Sequence, residues 1–384
     1  MLEFDFDTVI PRRGSGAAKW DECPEGVIPL WIADMDFKAA PCVQKAVAAR
    51  AAHGIFGYEK IGKRWYEAIG AWQSIRNGVI VKPSETEPVP GIVPAVSAVL
   101  QALTLPGDQI VVQTPCYNLF YSCIRNSGCE FAENPLIFKD GRYEIDFDDL
   151  ERKLAAPRAR ALLLCNPHNP TGRLWTRGEI TRIAELARKH GVIVLSDEIH
   201  SDVRPEGSAF TSFAALPPEF SQHAVVFNAP SKAFNLAGLQ DAYIIIRDPA
   251  LFERIDRQVN INEICDLNPF GVRALIAAYE EGRPWLAALN AYLRENLAQA
   301  GKFFNSELPG IKFALPEATY LMWLDFRAFG KSSDELWELF VKNGVMLSKG
   351  TIYGAKSDGF MRLNAACPRP LLMQGLERIA KALR

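Results

Sequence analysis

Ala161-Leu162-Leu163-Leu164-Cys165 is an apolar run that stops at Asn166-Pro167-His168-Asn169-Pro170-Thr171-Gly172. Thr176–His190 follows with a helical pattern. Thr176 and Glu179 are spaced as a capping box, and Ile180, Ile183, Ala184 and Ala187 make one apolar stripe. Gly191 stands where a helix would end. Val192–Ser196 is a second apolar run, ending at Asp197-Glu198. Runs that are apolar throughout, without alternation, read as strands covered on both faces. Strand, helix and strand in this order predict a parallel pair joined by a helix.

The same rhythm extends outward in both directions. Gln109–Gln113 is a β-rich run ending at Thr-Pro, Ala224–Phe227 ends at Asn-Ala-Pro, and Ala242–Ile246 ends at Arg-Asp. The prediction is an α/β domain with a mostly parallel sheet. The pattern changes near Glu280. Trp285–Phe304 reads as one long helix, Tyr320–Asp325 and Phe360–Asn364 as short strands, and Ser332 with Glu335 as the capping box of another helix. This predicts a smaller α+β domain. The N-terminal stretch shows no strand–helix rhythm and is expected to wrap onto that smaller domain. The expected division is residues 1–45, an N-terminal segment packing with the small domain; 46–284, a large ligand-binding domain; and 285–384, a small C-terminal domain.

Composition excludes several classes. The chain has 384 residues, 48% hydrophobic and 23% charged, which rules out disorder, collagen-like repeats and a coiled-coil rod. Lys and Arg number 43 against 45 Asp and Glu. With no basic surplus to release phosphate counterions, nucleic acid is not the expected partner. No apolar run approaches the ~20 residues of a membrane helix. Met1-Leu2-Glu3-Phe4-Asp5 is acidic where a signal peptide would be basic, so a cytoplasmic protein is expected. The eight cysteines include no C-x-x-C pair, which leaves a zinc ribbon or dithiol redox site unsupported and predicts free buried thiols.

In open α/β sheets, ligands bind beyond the carboxyl ends of the strands. The residues there are Pro115-Cys116-Tyr117, Asn166 to Gly172, Asp197-Glu198-Ile199-His200 and Pro230-Ser231-Lys232. An aromatic ring, an amide, a carboxylate and a lysine thus fall on one edge. That is the set pyridoxal 5′-phosphate requires: a lysine for its Schiff base, a carboxylate to keep the ring nitrogen protonated, a donor to the phenolic oxygen and a stacking ring. Lys232 follows an apolar strand and a tight turn, with Ala233, Phe234 and Leu236 beyond it. Desolvation there favours the free amine that imine formation needs. Most lysines are solvated, and this context is what singles Lys232 out. Asp197 reads as the partner of the pyridinium nitrogen, against the plainer role of a helix N-cap. Asn169 reads as donor to the phenolic oxygen, against a turn residue before proline. Tyr117 reads as the ring lying over the cofactor, whereas Tyr121 reads as packing. Pro90-Gly91-Ile92-Val93-Pro94 opens an apolar helical stretch, Ala95–Leu103, whose free N–H groups suit a phosphate; Ser231 is a second phosphate donor. Arg362 lies inside the apolar run Phe360–Asn364, where an unpaired charge is costly. It is either half of a structural ion pair or a bidentate clamp for an amino-acid carboxylate.

Together these residues resemble the fold-type-I pyridoxal phosphate enzymes, the aspartate aminotransferase superfamily. The N-P-H-N-P-T-G run from Asn166 and the S-K-A-F-N-L-A-G-L run from Ser231 carry most of the likeness. The chain is more similar still to one branch, the MalY/PatB-type cystathionine β-lyases, or C–S lyases. The motifs of that branch stand here as Asp7-Thr8, Arg12-Arg13-Gly14-Ser15, Lys19-Trp20-Asp21, Trp31-Ile32-Ala33-Asp34-Met35-Asp36-Phe37, Gly54-Ile55-Phe56-Gly57-Tyr58 and Ser196-Asp197-Glu198-Ile199-His200. The likeness covers nearly the whole chain. It implies a seven-stranded-type sheet in the large domain. It also implies roles: Lys232 as the Schiff-base lysine and catalytic base, helped by Tyr117; Asp197, Asn169, Tyr117 and His200 around the cofactor ring; Ile92, Val93 and Ser231 at the phosphate; and Arg362 and Ala33 at the substrate. Tyr58 would reach the phosphate of a neighbouring subunit, so a homodimer with shared active sites is implied.

Two positions depart from the aminotransferase pattern. His200 stands where many aminotransferases have a tyrosine, and Gly238-Leu239-Gln240 contains no phosphate-binding arginine. Both suit the lyase branch. The implied reaction is α,β-elimination from cystathionine and related cysteine S-conjugates. Two alternatives remain open at this point: transamination of an amino acid, and service as a regulatory partner of a transcription activator.

Overall fold

Seven strands build the central sheet: β1 (Thr86–Val89), β2 (Gln109–Thr114), β3 (Glu130–Pro135), β4 (Ala159–Cys165), β5 (Ile193–Asp197), β6 (Ala224–Asn228) and β7 (Ala242–Ile246). The computed structural model describes residues 4–139 and 141–384. The strand order is β1-β7-β6-β5-β4-β2-β3. All neighbours are parallel except β7, which runs against both β1 and β6. The five apolar runs read from the sequence are β2, β4, β5, β6 and β7. The two strands that carry no such run, β1 and β3, form the edges. Each contains glutamate and proline, and both residue types are tolerated better at an edge than in a sheet centre.

Register decides what meets at the site. Cys165, the last residue of β4, lies opposite Asp197, the last of β5, and Asp197 lies opposite Phe227 of β6. The chain segments leaving these strands therefore emerge side by side. Apolar clusters cover both faces of the sheet. One gathers helices Lys63–Asn77, Arg177–Lys189 and Pro269–Glu281; the other gathers Ile92–Leu103, Asn118–Asn126 and Pro249–Ile261. The helix read at Thr176–His190 is observed as Arg177–Lys189, with both capping-box hydrogen bonds formed between Thr176 and Glu179.

A three-stranded antiparallel sheet, ordered Leu321–Asp325, Phe360–Asn364 and Ser348–Lys349, packs with helices Arg283–Glu307, Ser333–Lys342 and Arg369–Leu383. Ile28–Pro29 pairs in parallel with Val345–Met346, which lays the N-terminal segment on this second unit. Residues 45 and 284, where the sequence suggested domain limits, fall inside helices Pro41–His53 and Arg283–Glu307. Among the described residues, no helix is long and apolar enough to cross a membrane, and all eight cysteines are free.

Candidate active site

A cavity of about 430 Å³ lies beyond the carboxyl ends of β4, β5 and β6, roofed by the second unit. Its lining brings together Ala33, Ile92, Val93, Tyr117, Asn169, Asp197, His200, Ser231, Lys232 and Arg362. Every residue singled out from the sequence is therefore at this cavity except Tyr58. Tyr58 is fully exposed and outside it.

Asp197 ends β5 and is buried, and no helix follows it. Its carboxylate accepts the Ile199 N–H at 3.1 Å. Burial pushes its pKa up to about 6, against the pull of that N–H and of nearby Lys232. A carboxylate left this short of positive charge is ready to pair with a protonated ring nitrogen. Lys232 donates to the Ala33 carbonyl at 2.7 Å. Burial first, and the Arg362 charge second, lower its pKa to about 8. That leaves roughly a tenth of the lysine as free amine at pH 7, far more than at the ordinary lysine pKa, which favours a nucleophilic role.

Arg362 is buried and has no carboxylate partner among the described residues. One nitrogen donates to Asn169 Oδ1 at 2.9 Å and another to the Trp31 carbonyl at 2.9 Å, while Nε has no partner. Its guanidinium lies 4.9 Å from the Tyr353 ring centre. The structural ion pair that the sequence left open is thus not formed, and the charge is balanced only by neutral acceptors and a ring. His200 is held well below the usual histidine range by burial and by the charges of Lys232 and Arg362, so it is neutral. Its Nδ1 has no partner. Burial and the Asp197 charge raise the Tyr117 pKa, so its phenol keeps its proton.

Helix Ile92–Leu103 begins after Gly91 with no side-chain cap, so its first N–H groups have no side-chain acceptor, and Gly91, Ile92 and Val93 line the cavity along with Ser231. The donor set fits pyridoxal 5′-phosphate. An underneutralised carboxylate, a desolvated lysine, an amide, a neutral imidazole and uncapped helix N–H donors line the same cavity.

Trp31 and Tyr353 also line the cavity, whereas Tyr320, which had no signal in the sequence, supports the lining from outside it. Trp31 contributes its carbonyl to Arg362, Tyr353 its ring, and Tyr320 a hydroxyl that donates to the Ala33 carbonyl at 3.0 Å. The Trp31–Phe37 segment is fixed from behind by buried charge. Lys19 Nζ lies 2.8 Å from Asp36, and Arg12 reaches Asp36 at 2.6 Å and Asp34 at 3.1 Å. Asn364 donates to the carbonyls of Ile32 and Asp34. Removing one member of such a buried pair typically costs about 3–5 kcal/mol. The motif residues near the N-terminus therefore act by placing backbone carbonyls.

The Aminotransferase class I and II family model matches residues 25–379. The chain belongs to that family. It is 44% identical to cystathionine beta-lyase PatB of Bacillus subtilis, over 99% of this chain and 100% of that one. Among solved structures, it superposes on cystalysin from Treponema denticola, which contains pyridoxal 5′-phosphate, with a TM-score of 0.96. Identity is 32%, and the match covers 100% and 99% of the two chains. The pyridoxal phosphate-bound C-S lyase from Staphylococcus hominis gives a TM-score of 0.93 at 32% identity, covering 99% of each chain. The fold is fold type I, as the sequence resemblance implied.

Proposed function

We propose that the protein is a pyridoxal 5′-phosphate-dependent carbon–sulfur β-lyase. It converts L-cystathionine and water to homocysteine, pyruvate and ammonia, and acts on related cysteine S-conjugates. The observation that carries this reading is Arg362, a buried cation with only neutral acceptors and a free Nε, facing the same cavity as the desolvated Lys232. An amino acid supplies the missing anion through its carboxylate and the reacting amine beside it. The names and bound cofactor of the relatives support the cofactor and the lyase activity.

Bound at Lys232, the cofactor supplies an electron sink that stabilises negative charge at the substrate Cα. Asp197 would keep the ring nitrogen protonated, and Asn169 would donate to the phenolic oxygen. Tyr117 would stack on the ring, and His200 would stand near it. The N–H groups of Ile92 and Val93 and the Ser231 hydroxyl would hold the phosphate. Arg362 takes the carboxylate in two charge-assisted hydrogen bonds, and the 31–37 segment, through Ala33, lines the substrate side. The Lys232 amine would take the Cα proton, with Tyr117 assisting. The pair from that C–H bond would become the Cα=Cβ double bond as the Cβ–S bond breaks, the thiolate would leave with the electrons of that bond, and water would hydrolyse the resulting enamine to pyruvate and ammonia.

The working molecule in this reading is a cytoplasmic homodimer with shared active sites, and Tyr58 of each subunit serves the phosphate of the other. The free thiols suit a reducing compartment. Its units are an N-terminal segment of residues 1–45, a cofactor domain of 46–284 and a small domain of 285–384.

The test is pyruvate release from L-cystathionine by purified holoenzyme with no keto acid present. Pyruvate that disappears in Lys232→Ala, together with the visible absorbance of the lysine-bound cofactor, is the expected result. Amino transfer that requires an added keto acid, with no pyruvate from cystathionine, would make the protein an aminotransferase instead.

A further inference from the structure

The connection that carries Tyr58 is gripped on both sides of it. Helix Pro41–His53 ends at Gly54, whose φ of 74° lets the chain turn away, and helix Lys63–Asn77 starts after Gly62. Between them Ile55, Phe56 and Tyr58 are exposed apolar or aromatic residues. Glu59 alone among residues 51–60 is not exposed. Its carboxylate lies 2.7 Å from Arg273 of helix Pro269–Glu281 and 3.8 Å from Arg50 of helix Pro41–His53. Arg50 also donates to the Ile55 carbonyl at 2.8 Å, and its guanidinium lies 5.5 Å from the Phe56 ring centre. The Phe56 ring in turn sits 5.4 Å from that of Phe270. Residues 55, 56 and 59 are thus anchored to two helices of their own subunit, and Tyr58 between them points away from that subunit.

We propose that Glu59 is a positioning residue that acts across the dimer. Its bridge to Arg273 and Arg50 holds the Tyr58 hydroxyl ready for the neighbouring subunit's phosphate, so the ordering of this connection precedes cofactor binding. The inference rests on the shared-site reading above. Two features favour it over simple surface pairing. The Glu59 side chain is only 11% exposed, and that of Arg50 only 13%. The bridge also joins two helices through the residue that immediately follows an otherwise unsupported tyrosine.

The test follows loss of the visible absorbance of lysine-bound cofactor after dilution, which needs no turnover. Tyr58→Phe and Glu59→Gln dimers, checked for unchanged mass and helicity, are compared with the natural holoenzyme. Both are expected to lose cofactor about tenfold faster. Mixed dimers of Glu59→Gln with Lys232→Ala then separate action on the chain's own site from action on the neighbour's. Only the Glu59→Gln chain can bind cofactor through a lysine there, and its Tyr58 neighbour comes from a chain with intact Glu59. Retention at the natural rate in that dimer supports the proposal. Fast loss there would show that Glu59 serves its own subunit and would overturn it. Natural retention in the Glu59→Gln homodimer, with Tyr58→Phe still leaky, would also overturn it while leaving the shared site standing. Natural retention in Tyr58→Phe would remove the shared-site reading itself.

Discussion

Asp197 and Arg362 face one cavity from opposite sides, and the fold holds them in different ways. Asp197 ends a strand in the middle of a seven-stranded sheet, flanked in register by Cys165 and Phe227. Its position follows from the sheet alone. Arg362 sits in a strand of the small sheet, opposite Trp323 and Ser348. Its guanidinium is oriented by Asn169 from the turn that follows β4 and by the Trp31 carbonyl from the N-terminal segment. That carbonyl stays in place because buried charges hold the segment behind it. The cofactor side is therefore fixed by one rigid element, whereas the substrate side is assembled from three. A change to the first should alter chemistry with little effect on substrate affinity; a change to the second should alter affinity and spare the cofactor.

The largest effect is expected at Asp197. Asp197→Asn keeps the shape but removes the charge that holds the ring proton, where negative charge develops in the transition state. The loss in kcat is expected to be about 10²–10³-fold, the range for deleting one preorganised electrostatic partner. Steady-state kinetics with cystathionine at saturating cofactor measures it, and KM should move little. A variant that raises KM but keeps kcat would place Asp197 on the substrate side and erase the distinction between the two walls.

The same difference governs what could be read from the amino-acid order. Strand-end residues such as Asn169, Asp197 and Lys232 were legible because each apolar run announces its own end, and a sheet aligns those ends. Edge strands β1 and β3 were not, since Glu87, Pro88, Glu130 and Pro135 break any apolar run. Arg362 was visible as an arginine out of place, but its setting was not. Its partners lie 193 and 331 residues away, and one is a backbone carbonyl, which no side chain announces. The Lys19, Arg12, Asp34 and Asp36 cluster appeared only as motif residues without a task. Its geometry shows the task to be mechanical support of the Trp31–Phe37 carbonyls.

A smaller effect is expected at Arg362, because part of its work is done by the assembly around it. Arg362→Ala removes two charge-assisted hydrogen bonds, worth about 1.5–3 kcal/mol, so kcat/KM should fall roughly 10–150-fold, mainly through KM. Arg362→Lys keeps the charge without the planar fork and should recover only part of the loss. The visible absorbance of bound cofactor should be unchanged in both. If the absorbance is lost instead, Arg362 belongs to the cofactor wall and the two sides are not independent.

The smallest effect on turnover is expected one residue beyond Asp197. Glu198 is buried behind the site and touches nothing in the cavity. One carboxyl oxygen accepts from the Phe213 N–H at 2.7 Å and the Ser196 hydroxyl at 3.0 Å; the other has no partner. Burial raises its pKa from 4.5 to about 7. Between those values the native protein keeps a proton that the unfolded chain has released, so this group's contribution to stability falls as pH rises through that window. Gln in its place keeps the two acceptor contacts and never ionises. The two cofactor-free proteins should therefore match near pH 4.5, and Glu198→Gln should be the more stable above pH 7, by at most ~3 kcal/mol. Buried groups that do not interact with Glu198, His168 among them, tilt both curves alike and cancel in the difference. Denaturant midpoints across this range measure it. A pH-independent difference would mean that the carboxyl next to Asp197 titrates normally. The sheet interior would then solvate charge better than its apolar strands imply, and the low positive charge around Asp197 would need another explanation.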